Sequence, residues 1–160
     1  MSMLGFGRFL ALFRDAIKND DAIAAWCQAE FGKALSIFVG IDQRNPPGPD
    51  QCPLAIIQPD HAVDGDGLEE RVKRYTLEVQ WAVSNEATAS SGGVTELAGL
   101  AQVDRLGQLI WDALADCHPN LELSSADIEV EPVAFFPMVV AGAAITINVP
   151  VLISAEISFD

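Results

Sequence analysis

The chain has 160 residues, half of them hydrophobic, and a formal net charge of -14. These values predict one domain with a buried core and exclude a globally disordered chain. The charge argues against specific nucleic-acid binding and against binding to anionic membranes, because both interactions depend on clustered Lys and Arg. The three cysteines show no C-x-x-C pair and no disulfide framework, and we therefore expect a cytoplasmic protein.

The N-terminal segment, residues 1–33, is predicted to be helical. Apolar residues at helical spacing predict a first, amphipathic helix: Phe6, Phe9, Leu10, Phe13 and Ile17. This helix either packs on the sheet of its own chain or forms an arm that docks on another subunit. The run Asn19-Asp20-Asp21 then offers N-cap chemistry for a second helix from Ala22 to Phe31, which Gly32 is placed to end.

Two short strands and a loop are predicted next. Residues 34–41 are rich in β-branched and aromatic side chains, which favour a strand, and Leu54 to Ile57 predicts another strand that Pro59 closes. Residues 42–52 are predicted to be a loop between them, because Pro46-Pro47-Gly48-Pro49 can join neither a helix nor a strand ladder.

Residues 60–70 are predicted to be a second loop, and they hold the stretch most similar to a metal site. The run from Asp60 to Gly67 places oxygen ligands at alternate positions before a glycine, but it lacks the glutamate that closes a calcium loop. We therefore expect a solvated loop without a bound cation. His61 could act with Cys52 as a base and nucleophile pair, but neither a strand-to-helix elbow nor an oxyanion hole accompanies them.

The segment from Arg71 to Val83 is predicted to be a long strand with one buried face. Apolar residues occupy every second position: Tyr75, Leu77, Val79, Trp81 and Val83. Arg71, Lys73 and Arg74 are three of only nine basic residues in the chain. They mark either a charged strand end or a docking point for an acidic surface, including that of a neighbouring copy.

A long covering helix is predicted after a loop. Residues 85–93 are small and polar, which predicts a mobile loop, and Thr95 is then a candidate helix cap. The helix is predicted to end near Cys117-His118-Pro119, and Trp111 is predicted to lie in the core. Its apolar residues recur at intervals of three and four: Leu97, Leu100, Val103, Gly107, Ile110, Trp111 and Leu114.

The C-terminal part of the chain alternates again. Ile128 to Val133 predicts a strand, and Ala143 to Phe159 predicts a longer one with a single buried face. Pro150 donates no N–H, so the last strand is expected to lie at a sheet edge, bend or split near that point. Three large apolar residues beside prolines would form an interface patch if they are exposed: Phe135, Phe136 and Met138.

Together these elements predict a single α+β domain over residues 1–160. We expect two layers, with a mostly antiparallel sheet, a long covering helix and the N-terminal amphipathic helix. The sequence shows no Gly-rich phosphate loop and no C-x-x-C motif, and no pair of carboxylates that the predicted elements would bring together. We therefore predict neither enzymatic chemistry nor a bound cofactor or metal.

In the second half of the chain, the strand Tyr75–Val83 is followed by the helix Leu97–Cys117, the strand Asp127–Pro132, the dipeptide Phe136-Pro137 and the strand Ala144–Val151. In pattern and order, this half resembles tail terminator, or tail-completion, proteins of long-tailed bacteriophages and prophages. The resemblance implies a small α+β protomer that assembles into a ring, commonly a hexamer. Such a ring caps the tail tube, stops its polymerisation and joins it to the head connector.

The implied partners are other copies of this chain, the phage tail tube protein and the head–tail connector protein. DNA would pass through the ring without specific binding, and an acidic lining would suit that passage. The resemblance also implies that the protein occurs in the cytoplasm of the bacterial host during assembly and then in the virion tail. The Pro-rich insert at residues 45–49 and the acidic loop after Asp60 depart from the pattern of the family.

Two other hypotheses belong to different functional classes. A small-molecule-binding or regulatory α+β domain would use the sheet face as the floor of a ligand site. A hydrolase would use Cys52 or His61.

Overall fold

The computed structural model describes residues 5–64, 72–117, 122–131 and 136–150. A short 3-10 helix, Pro49–Gln51, lies between the first two strands. The fold is the predicted α+β fold, with an N-terminal helix and a long helix. In chain order, the helices and strands are α1 (Phe6–Lys18), α2 (Asp21–Phe31), β1 (Ser36–Val39), β2 (Leu54–Asp64), β3 (Val72–Ser84), β4 (Thr88–Ser91), β5 (Val94–Leu97), α3 (Ala98–Ala115), β6 (Glu122–Glu131) and β7 (Met138–Pro150).

Five of these strands form one sheet in the order β1-β2-β3-β7-β6. β1 is parallel to β2, and the other neighbouring strands are antiparallel. The pairing of β3 with β7 extends over the whole of β3, and Tyr75 lies opposite Ile147. This confirms that the two alternating segments belong to one sheet. β7 begins at Met138, before the predicted start at Ala143, because its first residues pair with the end of β3.

One face of the sheet carries the main core. α1 contacts β1 and β2, and α3 contacts β3 and β7. Successive side chains of a strand point to opposite faces, so the period of two in the sequence places one set under the helices. The buried side chains that β3 and β7 contribute to this core are Tyr75, Leu77, Val79, Trp81, Val83, Val139, Ala141, Ala143, Ile145, Ile147 and Val149.

The N-terminal helix α1 packs on the core of its own chain. Phe9 and Phe13 are 3% and 0% exposed. Phe6 and Phe9 both contact the ring of Tyr75, with ring centroids 5.4 and 4.7 Å apart. Of the two alternatives for this helix, the structure shows the one in which it packs on its own chain, with Phe9 and Phe13 buried and Phe6 half-buried. Contact of this helix with another subunit stays a prediction.

The second helix begins and ends where its capping residues predict. The Asp20 carboxylate accepts a hydrogen bond from the backbone N–H of Ile23 at 2.8 Å, which satisfies one of the free donors of the first turn. Gly32 adopts the left-handed conformation, with φ at 68°, and its N–H bonds the carbonyl of Gln28. This backbone conformation strains residues that have a Cβ, and it explains why glycine ends the helix.

The strand β2 is longer than predicted. It runs through Pro59 to Asp64 and pairs with β3 over its length, so residues 60–64 are not part of a loop. The register shifts between Pro59 and His61, which is how the ladder accommodates a residue without an N–H. Residues 65–70, the rest of the predicted loop, lie outside the described residues.

Most of the expected mobile loop at residues 85–93 is instead part of a β-hairpin, in which a tight turn joins β4 to β5. Gly92 and Gly93 both have positive φ, 60° and 82°, which is the requirement of the two-residue turns that connect hairpin strands. Thr95 is therefore a strand residue and not a helix cap. The helix α3 begins three residues later, at Ala98, without a side-chain cap.

The buried face of the long helix α3 overlaps the predicted one only in part: Val103, Ile110 and Leu114 are buried as predicted. Leu106 and Leu109 are buried, whereas Leu100 is exposed and Trp111 is half-buried. Trp111 is therefore not the core aromatic residue that the spacing predicted. A β-strand residue, Trp81, has that place, and it is only 5% exposed.

Trp81 explains how close α3 comes to the sheet. Its indole N–H donates to the backbone carbonyl of Val103 at 2.9 Å. A Cβ added at Gly107 would lie 2.5 Å from atom Cζ2 of Trp81. Gly107 has no side chain, so the helix can approach the sheet closely enough for the indole ring of Trp81 to pack against it.

Candidate interaction site

The second face of the sheet is built from the strand positions between the core residues. Cys52, Leu54, Ile56 and Ala82 form a small buried cluster there. No described helix residue belongs to this cluster, and its partly buried neighbours come from strands and from the loop after β1. The three described helices therefore do not cover this apolar face. The partly buried residues that pack against the cluster are Phe38, Ile41, Met138 and Val140.

A groove of about 680 Å³ lies over this face, and we call it the outer groove. Leu54, Ile56 and Ala82 give it an apolar floor, and the loop residues Pro46 and Pro47 also line it. On β7 it is lined by the small residues Gly142 and Ala144, whose short side chains leave space above the sheet. The Pro-rich insert is thus part of the groove and not an unrelated surface loop.

The charged groups of the outer groove are carboxylates, which accept hydrogen bonds. Asp60 on β2 and Glu78 on β3 contribute carboxylates, and Gln80 lies between Glu78 and Ala82 along β3. The Gln80 side-chain amide donates to the Glu78 carboxylate at 2.7 Å. Among the described residues, no Lys, Arg or His lines the groove. It therefore suits a partner that brings hydrogen-bond donors and apolar surface but no negative charge.

The hairpin of β4 and β5, which we call the arm, is the most exposed part of the described fold. Every side chain from Thr88 to Glu96 is exposed, including Val94 at 58%. The Ser90 and Thr95 hydroxyls lie 2.9 Å apart across the two strands. The arm therefore has its own hydrogen bonds but contributes little to the core of its chain.

The base of the arm is held by the domain. The Asn85 side chain donates to the Gln102 side chain of α3 at 2.8 Å, and the Ala98 N–H donates to the Ala87 carbonyl at 3.0 Å. The Asn85 backbone N–H donates to the Pro137 carbonyl at 3.1 Å. These contacts fix the direction in which the exposed arm leaves the body.

A second, smaller groove of about 360 Å³ lies between α3 and β7. Leu100, Gly107 and Trp111 line it from the helix, and Ala143 and Ile145 line it from the strand. Leu100 and Trp111, which the sequence placed in the core, therefore border a groove instead.

The predicted interface residues lie at opposite ends of the sheet. Phe136 is 58% exposed and Met138 is half-buried, and they lie beside the base of the arm and the outer groove. Lys73 and Arg74 lie near the other end of β3, ~33 Å away at 3.3 Å per residue. Arg71 and Phe135 lie outside the described residues. The structure therefore places Phe136 and Met138 near the base of the arm. It places Lys73 and Arg74 far from the arm, near the other end of β3.

The basic residues of β3 also have contacts within their own chain. The Lys73 ammonium lies 5.4 Å from the centroid of the Tyr75 ring, a distance at which a cation–π attraction is expected. Lys73 and Arg74 are both half-buried. Their proposed role in docking an acidic surface stays a prediction.

Cys52 does not have the properties of an activated nucleophile. It is 4% exposed, and burial raises the pKa of its thiol to about 11, so it is protonated at neutral pH. His61 is exposed, and its Nδ1 lies 3.4 Å from the Asp60 carboxylate. The described residues hold no group of three or more His, Cys, Asp or Glu side chains that could bind a metal ion. Gly65, Asp66 and Gly67 of the calcium-like run lie outside them.

Sequence reasoning missed both the arm and the outer groove. The Gly92-Gly93 pair flanked by β-forming residues is a hairpin signal, and it could have identified the arm. The groove has no such local signal, because its lining comes from β2, β3, β7 and a loop.

Comparison with models of known protein families gives no match, and comparison with curated proteins gives none either. Within the described part of the chain, none of the helices is both long and apolar enough to cross a membrane.

Proposed function

We propose that this protein is a structural tail terminator of a phage-like particle, which forms a ring, caps the tail tube and joins it to the head connector. The observation that carries the proposal is the exposed arm of β4 and β5. A two-stranded hairpin is marginally stable by itself in water. An arm that leaves the core of its own chain is therefore typical of a subunit that contacts another chain.

The placement of the family-like segments supports the same proposal. These segments fall on β3, α3, β6 and β7. In the fold, β3, β7 and β6 are neighbours in the sheet, and α3 packs on β3 and β7. The described residues that carry the resemblance thus lie in one contiguous part of the fold.

The charge of the chain suits a ring through which DNA passes. No Lys or Arg follows Arg105, and the net charge is -14. Such a surface repels the phosphate backbone, so DNA would pass without specific binding. We propose no catalytic role and no cofactor, and we place the protein in the cytoplasm of the bacterial host during assembly and in the virion tail afterwards.

Sedimentation of the protein with purified tail tubes tests the proposal. We expect the protein to sediment with the tubes as a ring-sized oligomer, and electron microscopy to show extra density at tube ends. Tubes that polymerise in its presence should be shorter, whereas an unrelated protein of equal charge should leave their length unchanged. A chain that stays monomeric in all conditions and does not bind tubes would exclude a ring terminator.

The outer groove favours a second candidate function, which is the binding of a small molecule. Its volume of about 680 Å³ lies within the range of ~300–1,000 Å³ that is usual for ligand sites. A compound that raises the melting temperature of a monomeric protein, and loses that effect in Ala144→Trp, would support this candidate. Ring formation without such a compound would support the tail terminator.

A further inference from the structure

We propose that the outer groove binds the arm of a second copy of this chain. This inference rests on the proposed function, since it names the contact that would build the ring. The arm side chains from Thr88 to Glu96 are exposed, and no helix residue in the described part of the chain belongs to the apolar cluster under the groove. The groove lining contains no arm residue, so the arm of the same chain does not fill it.

The chemistry of the arm fits that of the groove. From Ala87 to Thr95 the arm has no charged side chain, but it has four hydroxyl groups and the exposed Val94. The groove offers the carboxylates of Asp60 and Glu78 as acceptors, beside an apolar floor. Hydroxyl and backbone N–H donors of the arm can bond these carboxylates, while Val94 contacts the floor.

The net charge selects this contact among the possible ones. Two copies with a charge of -14 each repel one another, and most faces of the chain would bring carboxylates together. The arm presents an uncharged stretch of nine residues, Ala87–Thr95, to the acidic rim of the groove. Glu96, the charged residue of β5, is exposed and pairs with Ala89, away from the turn. The tip of the arm, Ser90–Thr95, can therefore approach an acidic neighbour without adding a carboxylate of its own.

The geometry of the contact suits a closed assembly. The arm and the outer groove are different surfaces, so a contact between them is head-to-tail and leaves one arm and one groove free in every dimer. Repetition of such a contact gives a ring where the rotation between subunits closes, and an open filament where it does not. Each strand of the arm has four residues and spans ~13 Å at 3.3 Å per residue, which is enough to cross from one body to the next.

Cysteine cross-linking tests the contact in the full-length chain, in the presence of tail tubes. The variant carries Cys117→Ala, which removes the half-buried native thiol, together with Val94→Cys on the arm and Ala144→Cys in the groove. We expect a bismaleimide to give a ladder of oligomers that ends at the ring. A mixture of the two variants that each carry one introduced cysteine should give dimers only, and each variant alone should give none, because the remaining Cys27 and Cys52 are buried.

Three results would overturn the inference. Cross-linking of Val94→Cys alone would show that arms meet arms, and a cross-link confined to monomers would show that the arm closes on its own groove. Oligomers seen by sedimentation without any cross-link in the double variant would disprove the arm contact but leave the proposed function standing. A wild-type chain that never assembles would disprove both.

A charge substitution gives an independent readout. Val94→Glu places a carboxylate opposite Asp60 and Glu78, and we expect it to weaken self-association at least tenfold. Val39→Glu is the matched control, because Val39 is also an exposed valine, at 47%, but does not line the groove. An equal effect of both substitutions, or no effect of Val94→Glu, would contradict the inference. Unchanged melting temperatures of the monomers would show that neither substitution disturbs the fold.

Discussion

At the scale of single residues, Trp81 connects the sheet to the long helix. Its ring is buried, and its N–H bonds the Val103 carbonyl at 2.9 Å. We expect Trp81→Ala to lower the free energy of unfolding by about 3–5 kcal/mol, the range for loss of a buried aromatic residue. Trp111→Ala is the matched control and should cost about 1 kcal/mol, because Trp111 is only half-buried. Urea unfolding measures both, and equal losses would contradict the packing described here.

Gly107 makes a second prediction at this scale. Alanine is the better helix former by about 1 kcal/mol, but a Cβ at this position would lie 2.5 Å from Trp81. We therefore expect Gly107→Ala to destabilise the protein by about 1–2 kcal/mol through overpacking. Gly7→Ala in α1, where a Cβ would meet nothing within 4 Å, should instead stabilise it by about 0.5 kcal/mol. A stabilising Gly107→Ala would show that α3 does not approach Trp81 closely.

The buried thiols make the stability depend on pH. Burial raises the pKa of Cys27 and Cys52 from 9.0 to about 11. Unfolded thiols therefore lose their protons at a lower pH than folded ones, and the free energy of unfolding should fall as the pH rises from about 9 to 11. Chemical unfolding at several pH values measures this fall. It should be shallower in the Cys27→Ala, Cys52→Ala double variant, and an identical slope would assign it to other groups.

At the scale of elements, the second helix depends on its cap. Asp20 accepts the Ile23 N–H at 2.8 Å, and Asp20→Ala should lower the free energy of unfolding by about 0.5–2 kcal/mol. Asp21→Ala, one residue later, removes an equal charge near the helix N-terminus but no capping bond. It should lower the free energy of unfolding by only about a few tenths of a kcal/mol. Thermal unfolding followed by circular dichroism compares the two variants, and a larger loss in Asp21→Ala would contradict the capping role.

The arm and α1 show that the surroundings of an element decide whether it is available for contact with another chain. Both were candidates for contact with another chain or for mobility. α1 turned out to be covered by its own sheet, through Phe9 and Phe13, whereas the arm is exposed along its whole length. The arm, which has no apolar stripe, is therefore a better candidate for an intersubunit contact than α1.

At the scale of the whole molecule, the net charge governs self-association. Copies with a charge of -14 repel each other, and salt screens this repulsion over about 8 Å at physiological ionic strength. We expect self-association, alone or on tail tubes, to strengthen as salt rises. Sedimentation velocity across a salt series measures it. Weakening with salt would instead indicate that the basic residues at the start of β3 dominate the contact.

The sequence by itself determined the elements whose signals are local. The period of two in β3 and β7 placed both strands in one sheet with one buried face, and the run at Asp20 with Gly32 located α2 to within one residue. Caps, turns and periodicity act between residues that are close along the chain, so these features need no knowledge of the rest of the fold.

Only the tertiary structure decided which surfaces are covered. An apolar stripe shows that a face is buried, but not by which partner, and so Phe9 and Phe13 proved to be core residues while Leu100 and Trp111 border a groove. The extension of β2 past Pro59 depends on its pairing with β3. The outer groove forms where three strands and a loop meet, and contacts between residues distant in sequence leave no local pattern to read.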